Sequence, residues 1–302
     1  MSTRVLVTDG MDAGAMEQLR KDGFEVVEQF YEPDALGAAL KDFDIVVIRS
    51  ATKIKAPQID AEKGGNLKLI IRAGVGMDNI DIPYAEAAGI ACKNTPRASS
   101  NAVAELAIGL MFACARNLSI AGSTMREQKW EKKAYSKGFE LSGKTVGIIG
   151  YGRIGRMIGE KCQALGMNVL ATVHHKKPEG CECDTMHFVS MEELLVKSDI
   201  ISLNSPAGDK PLVDADSLGK MKDGVVIINT SRGSNIDEPA LLDALNSGKV
   251  KAAGLDVWLS EKEPNWALAS HPAVACTPHI GAGTKEAQKR IGAELVDIIE
   301  HF

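Results

Sequence analysis

The chain has 302 residues, 45% apolar and 25% charged, with a formal charge of −5. This balance excludes a disordered or repeat-biased chain, and the length favours two domains over one. Acidic charge without a long basic block excludes nucleic acid as the main partner, since phosphate-backbone binding needs clustered Lys and Arg.

From Met1 the chain passes Arg4 into a strand-like Val5-Leu6-Val7 without the pattern of a signal peptide, so cytoplasm is the expected location. Short β-branched runs at Arg4 to Thr8, Asp44 to Ile48 and Lys68 to Ile71 alternate with helix-like segments near 12–22, 34–41 and 56–63. This alternation predicts a parallel sheet. Ser99, Ser100 and Asn101 offer an N-cap to a helix whose apolar positions run from Val103 to Ala115, and the domain crossing is expected there. The apolar stretch Ala102 to Ala115 is interrupted by Glu105 and is shorter than the roughly 20 residues that cross a bilayer, so no membrane helix is expected.

After a Lys-rich segment, Arg126 to Lys137, a second βα series begins at Thr145 and repeats near Asn168, Asp199, Val225, Ala252 and Val274. The tail from Thr284 to Phe302 puts Ala287, Ile291, Leu295, Ile298 and Ile299 on one helical face and is expected to return to the first domain. The predicted division is 1–98 plus 284–302 as a substrate-binding domain and 99–283 as a dinucleotide-binding domain.

Cys92, Cys114, Cys162, Cys181, Cys183 and Cys276 show no framework spacing and read as reduced thiols. His174, His175, Cys181, Cys183 and His187 are neighbours in sequence, but Cys-x-Cys lacks zinc-site spacing and no metal is assigned.

The most specific motif starts at Thr145. A strand, Thr145 to Ile149, is followed by Gly150-Tyr-Gly152-Arg153-Ile154-Gly155 and a helix-like run, Arg156 to Leu165. In G-x-G-x-x-G the first glycine permits a tight turn, the second lets the backbone approach a pyrophosphate and the third lets the helix pack on the strand. The helix N-terminus favours the anion, so a dinucleotide is the expected ligand. About 20 residues on, an acidic residue usually meets the ribose hydroxyls of NAD. Here the strand ends Val173-His174-His175-Lys176-Lys177, with no carboxylate to repel a 2′-phosphate, which leaves NADP open beside NAD.

Three further segments end predicted strands: Asn229-Thr230-Ser231-Arg232-Gly233, Gly254 to Glu261, and Thr277-Pro-His279-Ile-Gly281-Ala282. With the glycine loop, they resemble in order and spacing the signature set of the D-2-hydroxyacid dehydrogenases, over essentially the whole chain. The resemblance implies an α/β protein of two doubly wound parallel-sheet domains, Rossmann or flavodoxin-like, with a cleft between them. It implies Arg232 as clamp for the substrate's carboxylate and carbonyl, His279 as proton-transferring residue and Glu261 as its carboxylate partner. Glu263 precedes Pro264, where that family often has its Glu; the offset from Asp256 favours Glu261. The chemistry suits these types. Hydride leaves C2 for the nicotinamide while a base takes the hydroxyl proton, and arginine is a bidentate anion clamp. The resemblance also implies Asp256 on the nicotinamide amide, Ser205 and Pro206 by the adenosine, and cofactor contacts near Thr230, Ser231, Val75, Gly281 and Ala282.

Two first-domain loops bear on the substrate: Arg49-Ser50-Ala-Thr52-Lys53, and Arg72-Ala-Gly74-Val75-Gly76-Met-Asp78-Asn79. The Gly-Val-Gly backbone suits a carboxylate, and Arg49, Lys53 and Arg72 offer cations to a phosphate at the substrate's far end. These loops and Trp130-Glu-Lys132-Lys133 resemble the D-3-phosphoglycerate dehydrogenase branch, which implies oxidation of D-3-phosphoglycerate in serine biosynthesis. The chain stops at Phe302, so feedback through a C-terminal regulatory domain is not expected. The resemblance further implies a homodimer built on the cofactor domain, with Ser119 to Lys137 near the interface. Two other readings stay open, a glyoxylate or hydroxypyruvate reductase of the same family and a dinucleotide-binding module like the family's corepressors.

Overall fold

The computed structural model describes residues 2–173, 180 and 182–302. Its contacts divide the chain into two compact units, residues 1–99 with 282–302, and residues 100–281.

In the first unit the elements run β1 (Arg4–Val7), α1 (Ala13–Lys21), β2 (Glu25–Glu28), α2 (Pro33–Leu40), β3 (Ile45–Ile48), α3 (Ala56–Glu62), β4 (Leu69–Arg72), α4 (Ile82–Ala87) and β5 (Ala91–Asn94). The strands pair in parallel in the order β2-β1-β3-β4-β5. Alternation along each strand decides which face a residue serves. Val5, Val7, Ile45, Val47, Leu69 and Ile71 meet Met16 and Leu19 of α1 on one face. Leu6, Val46, Ile48 and Ile70 meet Leu36 and Leu40 of α2 and Ile59 of α3 on the other. Burial on both faces requires nearly continuous apolar strands, as β3 illustrates with Ile-Val-Val-Ile.

The second unit opens with α5 (Ser100–Arg116), α6 (Leu118–Arg126) and α7 (Lys132–Tyr135) and continues β6 (Thr145–Ile149), α8 (Arg153–Ala164), β7 (Asn168–Thr172), β8 (Met186–Phe188), α9 (Met191–Lys197), β9 (Ile200–Leu203), α10 (Ala215–Lys220), β10 (Val225–Asn229), α11 (Glu238–Asn246), β11 (Val250–Leu255), α12 (Trp266–Ala269) and β12 (Val274–Cys276). Its parallel order is β12-β11-β10-β9-β6-β7-β8. One face packs on α5 and α8 through Ala107, Leu110, Met111, Ile158 and Cys162, the other on α9 to α12 through Leu194, Leu218, Leu241 and Leu268. Cys114 and Cys162 are core residues, and burial pushes both thiols up to about 12.

The last helix, α13 (Lys285–Glu300), belongs to the first unit and lays Ile291, Leu295 and Ile299 on the α1 face of its sheet. Gly292 makes the close approach possible, since a Cβ there would come within 2.8 Å of the Ala15 Cβ. Arg290 Nε donates to Ala98 O at 2.8 Å and ties this helix to the end of the 1–99 segment. Among the described residues, no single helix is long and apolar enough to cross a membrane.

The two sheets share a device at their N-terminal edges. Asp44, just before β3, accepts from Arg4 N at 3.0 Å and pairs with Lys68 at 3.2 Å. Asp199, just before β9, accepts from Thr145 N at 2.8 Å and pairs with Lys222 at 2.9 Å. Each carboxylate thus locks the first strand of its sheet to a central neighbour.

Candidate active site

The residues singled out from the second unit's sequence lie where strands end. In its sheet, β6 and β9 are neighbours whose connections leave in opposite directions, which makes the loops after them the crevice expected to hold a ligand. The glycine loop follows β6. Gly150 has φ +93°, and a Cβ there would press on Asn204 and Ser205, the residues after β9. Gly152 is the N-cap of α8 with no side-chain cap, and a Cβ there would meet nothing within 4 Å, so open space lies beside the helix start. Arg153 and Ile154 open that helix, and Gly155 lies against the carbonyl of Gly150.

Buried oxygens at this edge lack partners within the protein. Among the described residues, Asn204 Oδ1, Thr230 Oγ1 and Asn235 Oδ1 are buried without a hydrogen bond. Such atoms carry a desolvation cost that a polar ligand relieves. The open helix start and these orphaned acceptors fit a dinucleotide. Ser205 Oγ sits 3.4 Å from Ile149 O, its carbonyl accepts from Asn235 Nδ2 at 3.0 Å, and Pro206 beside it is exposed. Val173 closes the β7 side, partly buried against the core. His174, expected beside it, lies outside the described residues, as do His175, Lys176, Lys177 and Cys181.

A second cluster follows β10, β11 and β12. Asn229 organises the first loop: its Nδ2 donates to Arg232 O at 2.8 Å, and its Oδ1 accepts from Ser231 N at 3.0 Å and Ser231 Oγ at 2.8 Å. Arg232 Nη1 donates to Ser231 O at 2.6 Å. Gly233 lies against the Trp258 carbonyl, where no side chain fits, which draws the arginine loop against the loop after β11.

Asp256, 1% exposed, then fixes the third loop. Its Oδ1 accepts from Thr277 Oγ1 at 2.6 Å and Ile280 N at 2.8 Å, and its Oδ2 accepts from Gly281 N at 2.9 Å. These bonds leave about one of the roughly four lone-pair positions of a carboxylate for another donor. His279 N donates to Asp256 O at 2.8 Å, and His279 has φ +54°, uncommon for a non-glycine residue and a sign that the loop's other bonds dictate its backbone. Thus held, its Nδ1 meets Glu261 Oε1 in a short contact. Glu261 is the carboxylate at the imidazole; Glu263, two residues on, is exposed.

Glu238 went unnoticed in the sequence. Buried at the start of α11, it accepts from Leu259 N at 2.9 Å and braces the loop after β11 that leads to Glu261. Its sequence context, Asp-Glu-Pro-Ala-Leu, reads only as a helix start.

The first unit supplies its own set. Asp9, after β1, accepts from Arg49 N at 2.6 Å, Thr52 N at 3.1 Å and Thr52 Oγ1 at 2.7 Å. Asn79 Nδ2 donates to Arg49 O at 2.6 Å and Thr52 O at 2.7 Å. The 49–52 loop is therefore clamped from both sides, with Ser50 and neighbouring Lys53 exposed. Both amide donors of Asn79 are committed to that loop. Arg72 Nη1 donates to Ala73 O at 3.0 Å, and its guanidinium lies over Gly74, whose φ is +151°. Asn94 Nδ2 donates to Val75 O at 2.6 Å and orients the Gly74-Val75-Gly76 backbone. Asp9 and Asn94 were also missed, because neither sits in a recognisable spacing.

Comparisons with known proteins add to this geometry. The family model described as "D-isomer specific 2-hydroxyacid dehydrogenase, NAD binding domain" matches residues 108–281. A hydroxypyruvate reductase from Thermotoga maritima is 46% identical over 98% of this chain and 97% of its own length. A D-3-phosphoglycerate dehydrogenase from Archaeoglobus fulgidus is 40% identical over 98% of this chain, which spans 56% of that protein's length. Among solved structures, a glyoxylate reductase from Paecilomyes thermophila superposes with a TM-score of 0.89 at 33% identity, covering 99% of this chain and 94% of that one.

Proposed function

Because the chain belongs to the D-isomer specific 2-hydroxyacid dehydrogenase family, we propose that it interconverts D-3-phosphoglycerate and 3-phosphohydroxypyruvate. In this reading residues 100–281 bind the dinucleotide and the first unit binds the acid. The observation that carries the reaction is the contact between Glu261 and the Nδ1 of His279.

A bound nicotinamide would supply the acceptor for the hydride that leaves C2 of the alcohol. His279 takes the hydroxyl proton on Nε2, the nitrogen turned away from Glu261, and in the reverse direction returns it to the carbonyl oxygen. Glu261 holds the ring and stabilises the imidazolium that forms. Arg232 binds the carboxylate and polarises the carbonyl as a planar, permanently charged donor. Asp256 keeps the His279 loop in its left-handed conformation, and its remaining acceptor position suits the carboxamide of the cofactor. Gly150, Gly152, Arg153, Ile154 and Gly155 receive the pyrophosphate, with Ser205, Pro206, Thr230 and Ser231 along the same edge. Val173 offers no carboxylate to a 2′-phosphate, so NADP is admitted beside NAD.

Support for a phosphorylated substrate comes from Arg49, Lys53 and Arg72 in the first unit's strand-end loops; Gly74 N donates to Arg72 O at 2.9 Å, which leaves the backbone at Gly76 to meet the carboxylate. The 40% identity to a phosphoglycerate dehydrogenase agrees with it. A second reading, reduction of unphosphorylated hydroxypyruvate, is favoured by the 46% identity to the Thermotoga reductase. A homodimer through residues 119–137 is part of the proposal. None of the residues of α6 is buried, and Leu118, Met125 and Trp130 are exposed, Trp130 at 77%.

Initial rates on 3-phosphohydroxypyruvate, hydroxypyruvate and glyoxylate, each with NADH and NADPH, test the proposal. Preference for the phosphorylated acid upholds it. Preference for the unphosphorylated acids moves the assignment to the reductase reading, and no turnover on any of them leaves a dinucleotide-binding interaction module.

A further inference from the structure

The first unit's sheet also has a reversal point, where β1 and β3 are neighbours and their connections leave in opposite directions. Ligands of doubly wound sheets bind outside the carboxyl ends of strands at such a point. A cavity of about 430 Å³ lies there, lined by Asp12 after β1, Arg49 after β3, and Thr284, Lys285, Gln288 and Lys289 at the start of α13.

Its charges do not cancel. Three cations meet one carboxylate, and Asp12 is already engaged as N-cap of α1, accepting from Ala15 N at 3.1 Å. Among the described residues Arg49, Lys285 and Lys289 make no ion pair. Lys285 occupies the first position of α13, where the helix field disfavours a cation, and Lys289 lies one turn on along the same face. Glu286 supplies an acidic group to that first turn but does not line the cavity. The segment is built rather than loose. Thr284 Oγ1 accepts from Ala287 N at 3.1 Å, and Gln288 Nε2 donates to Ala282 O at 2.8 Å. The loop carrying Arg49 is the one clamped by Asp9 and Asn79. A rigid crevice with three uncompensated cations and two helix N-termini suits a dianion.

We propose that this cavity seats the substrate's far phosphate, a phosphomonoester dianion held by Arg49, Lys285 and Lys289. The inference rests on the reading of the substrate as phosphorylated, and it narrows the binding set, since neither Lys53 nor Arg72 lines the cavity.

Two measurements on the full chain test it, comparing wild type with the double variant Lys285→Ala, Lys289→Ala, and with Lys289→Gln alone should the double variant fold poorly. With inorganic phosphate as probe, the wild-type unfolding temperature rises and the rise is lost in the variant. In rates, the ratio of kcat/KM for 3-phosphohydroxypyruvate to that for hydroxypyruvate falls about 100-fold in the double variant, about tenfold per lysine. A wild type that prefers the phosphorylated acid beside a variant that keeps the same ratio overturns the cavity assignment and leaves the phosphoglycerate reading standing. A wild type without that preference overturns the reading itself. The phosphate shift then decides the cavity alone: lost in the variant, it upholds the anion site, and absent from wild type, it removes it.

Discussion

The two sheets are alike at one edge and different at the other. At the N-terminal edges Asp44 and Asp199 make the same bonds to the first strand and to a lysine that precedes a later one. At the C-terminal edges the likeness stops. The second unit leaves a helix start uncapped and three side-chain oxygens of Asn204, Thr230 and Asn235 without partners. The first unit clamps the 49–52 loop at its edge through Asp9 and Asn79 and leaves Thr95 Oγ1 as its unpartnered buried oxygen among the described residues. The shared edge answers a need of the fold, the tying of parallel strands. The divergent edges answer the chemistry of what each unit is proposed to bind.

The comparison breaks most readily at His279. His279→Ala is expected to lower kcat by about 10² to 10⁴ while dinucleotide binding, read by fluorescence titration, survives. His279→Asn serves as the control for strain, because asparagine tolerates the left-handed backbone. Equal loss in both assigns the effect to the imidazole, and full activity in either removes His279 from the mechanism.

Gly150→Val attacks the open edge next. Its positive φ and its approach to Asn204 leave no room for a branched side chain. Dinucleotide affinity should fall by at least about tenfold with a stability loss of about 1–3 kcal/mol. Unchanged affinity would mean that this edge is not where the cofactor binds.

On the clamped edge, Asn79→Ala frees two carbonyls of the Arg49 loop. The KM for the acid should rise about tenfold, with a smaller change in kcat and none in dinucleotide affinity. A change in kcat alone would show that the clamp does not serve binding.

The smallest effect concerns the shared edge. Asp44→Asn and Asp199→Asn should each cost about 1 kcal/mol in urea unfolding at neutral pH. The Arg4 N–H, aided by Lys68, holds the Asp44 carboxyl below the usual range. Burial opposes ionisation of Asp199, and the Thr145 N–H and Lys222 outweigh it. A depressed folded pKa gives stability that is complete above the ordinary aspartate value, near about 3.9, and is lost as pH falls through the folded value. The wild type should therefore lose this increment only in acid, and each variant should show a shallower acid limb. Unequal costs would end the equivalence of the two edges.

Much of this was legible in the sequence wherever residue type and spacing carry the signal together. The glycine loop, the Arg232, Asp256 and His279 segments and the apolar strands β3, β4, β6 and β9 are of that kind. Other elements were silent for identifiable reasons. Strand β2 has glutamates at both ends and buries Val26 alone, β5 reads Ala-Cys-Lys-Asn without a β-branched residue, and α6 has no buried face to betray it. Asp9 acts on residues some 40 positions away, and only the fold brings them together. Asn79 has the opposite history: the sequence marked it for the substrate, and its amide turns out to hold the loop that carries Arg49.

The α13 helix has a consequence for how the chain is made. Residues 285–300 complete a core whose other walls are drawn from the first hundred residues. On the ribosome those walls wait while nearly two hundred further residues emerge, about 10 to 40 s at common elongation rates. Until then Val5, Val7, Ile45 and Val47 stand partly uncovered, so the interrupting unit matures first. The nascent N-terminal segment is the natural client for a chaperone, and a message truncated before Ile291 should yield a protein whose second unit folds and whose first aggregates.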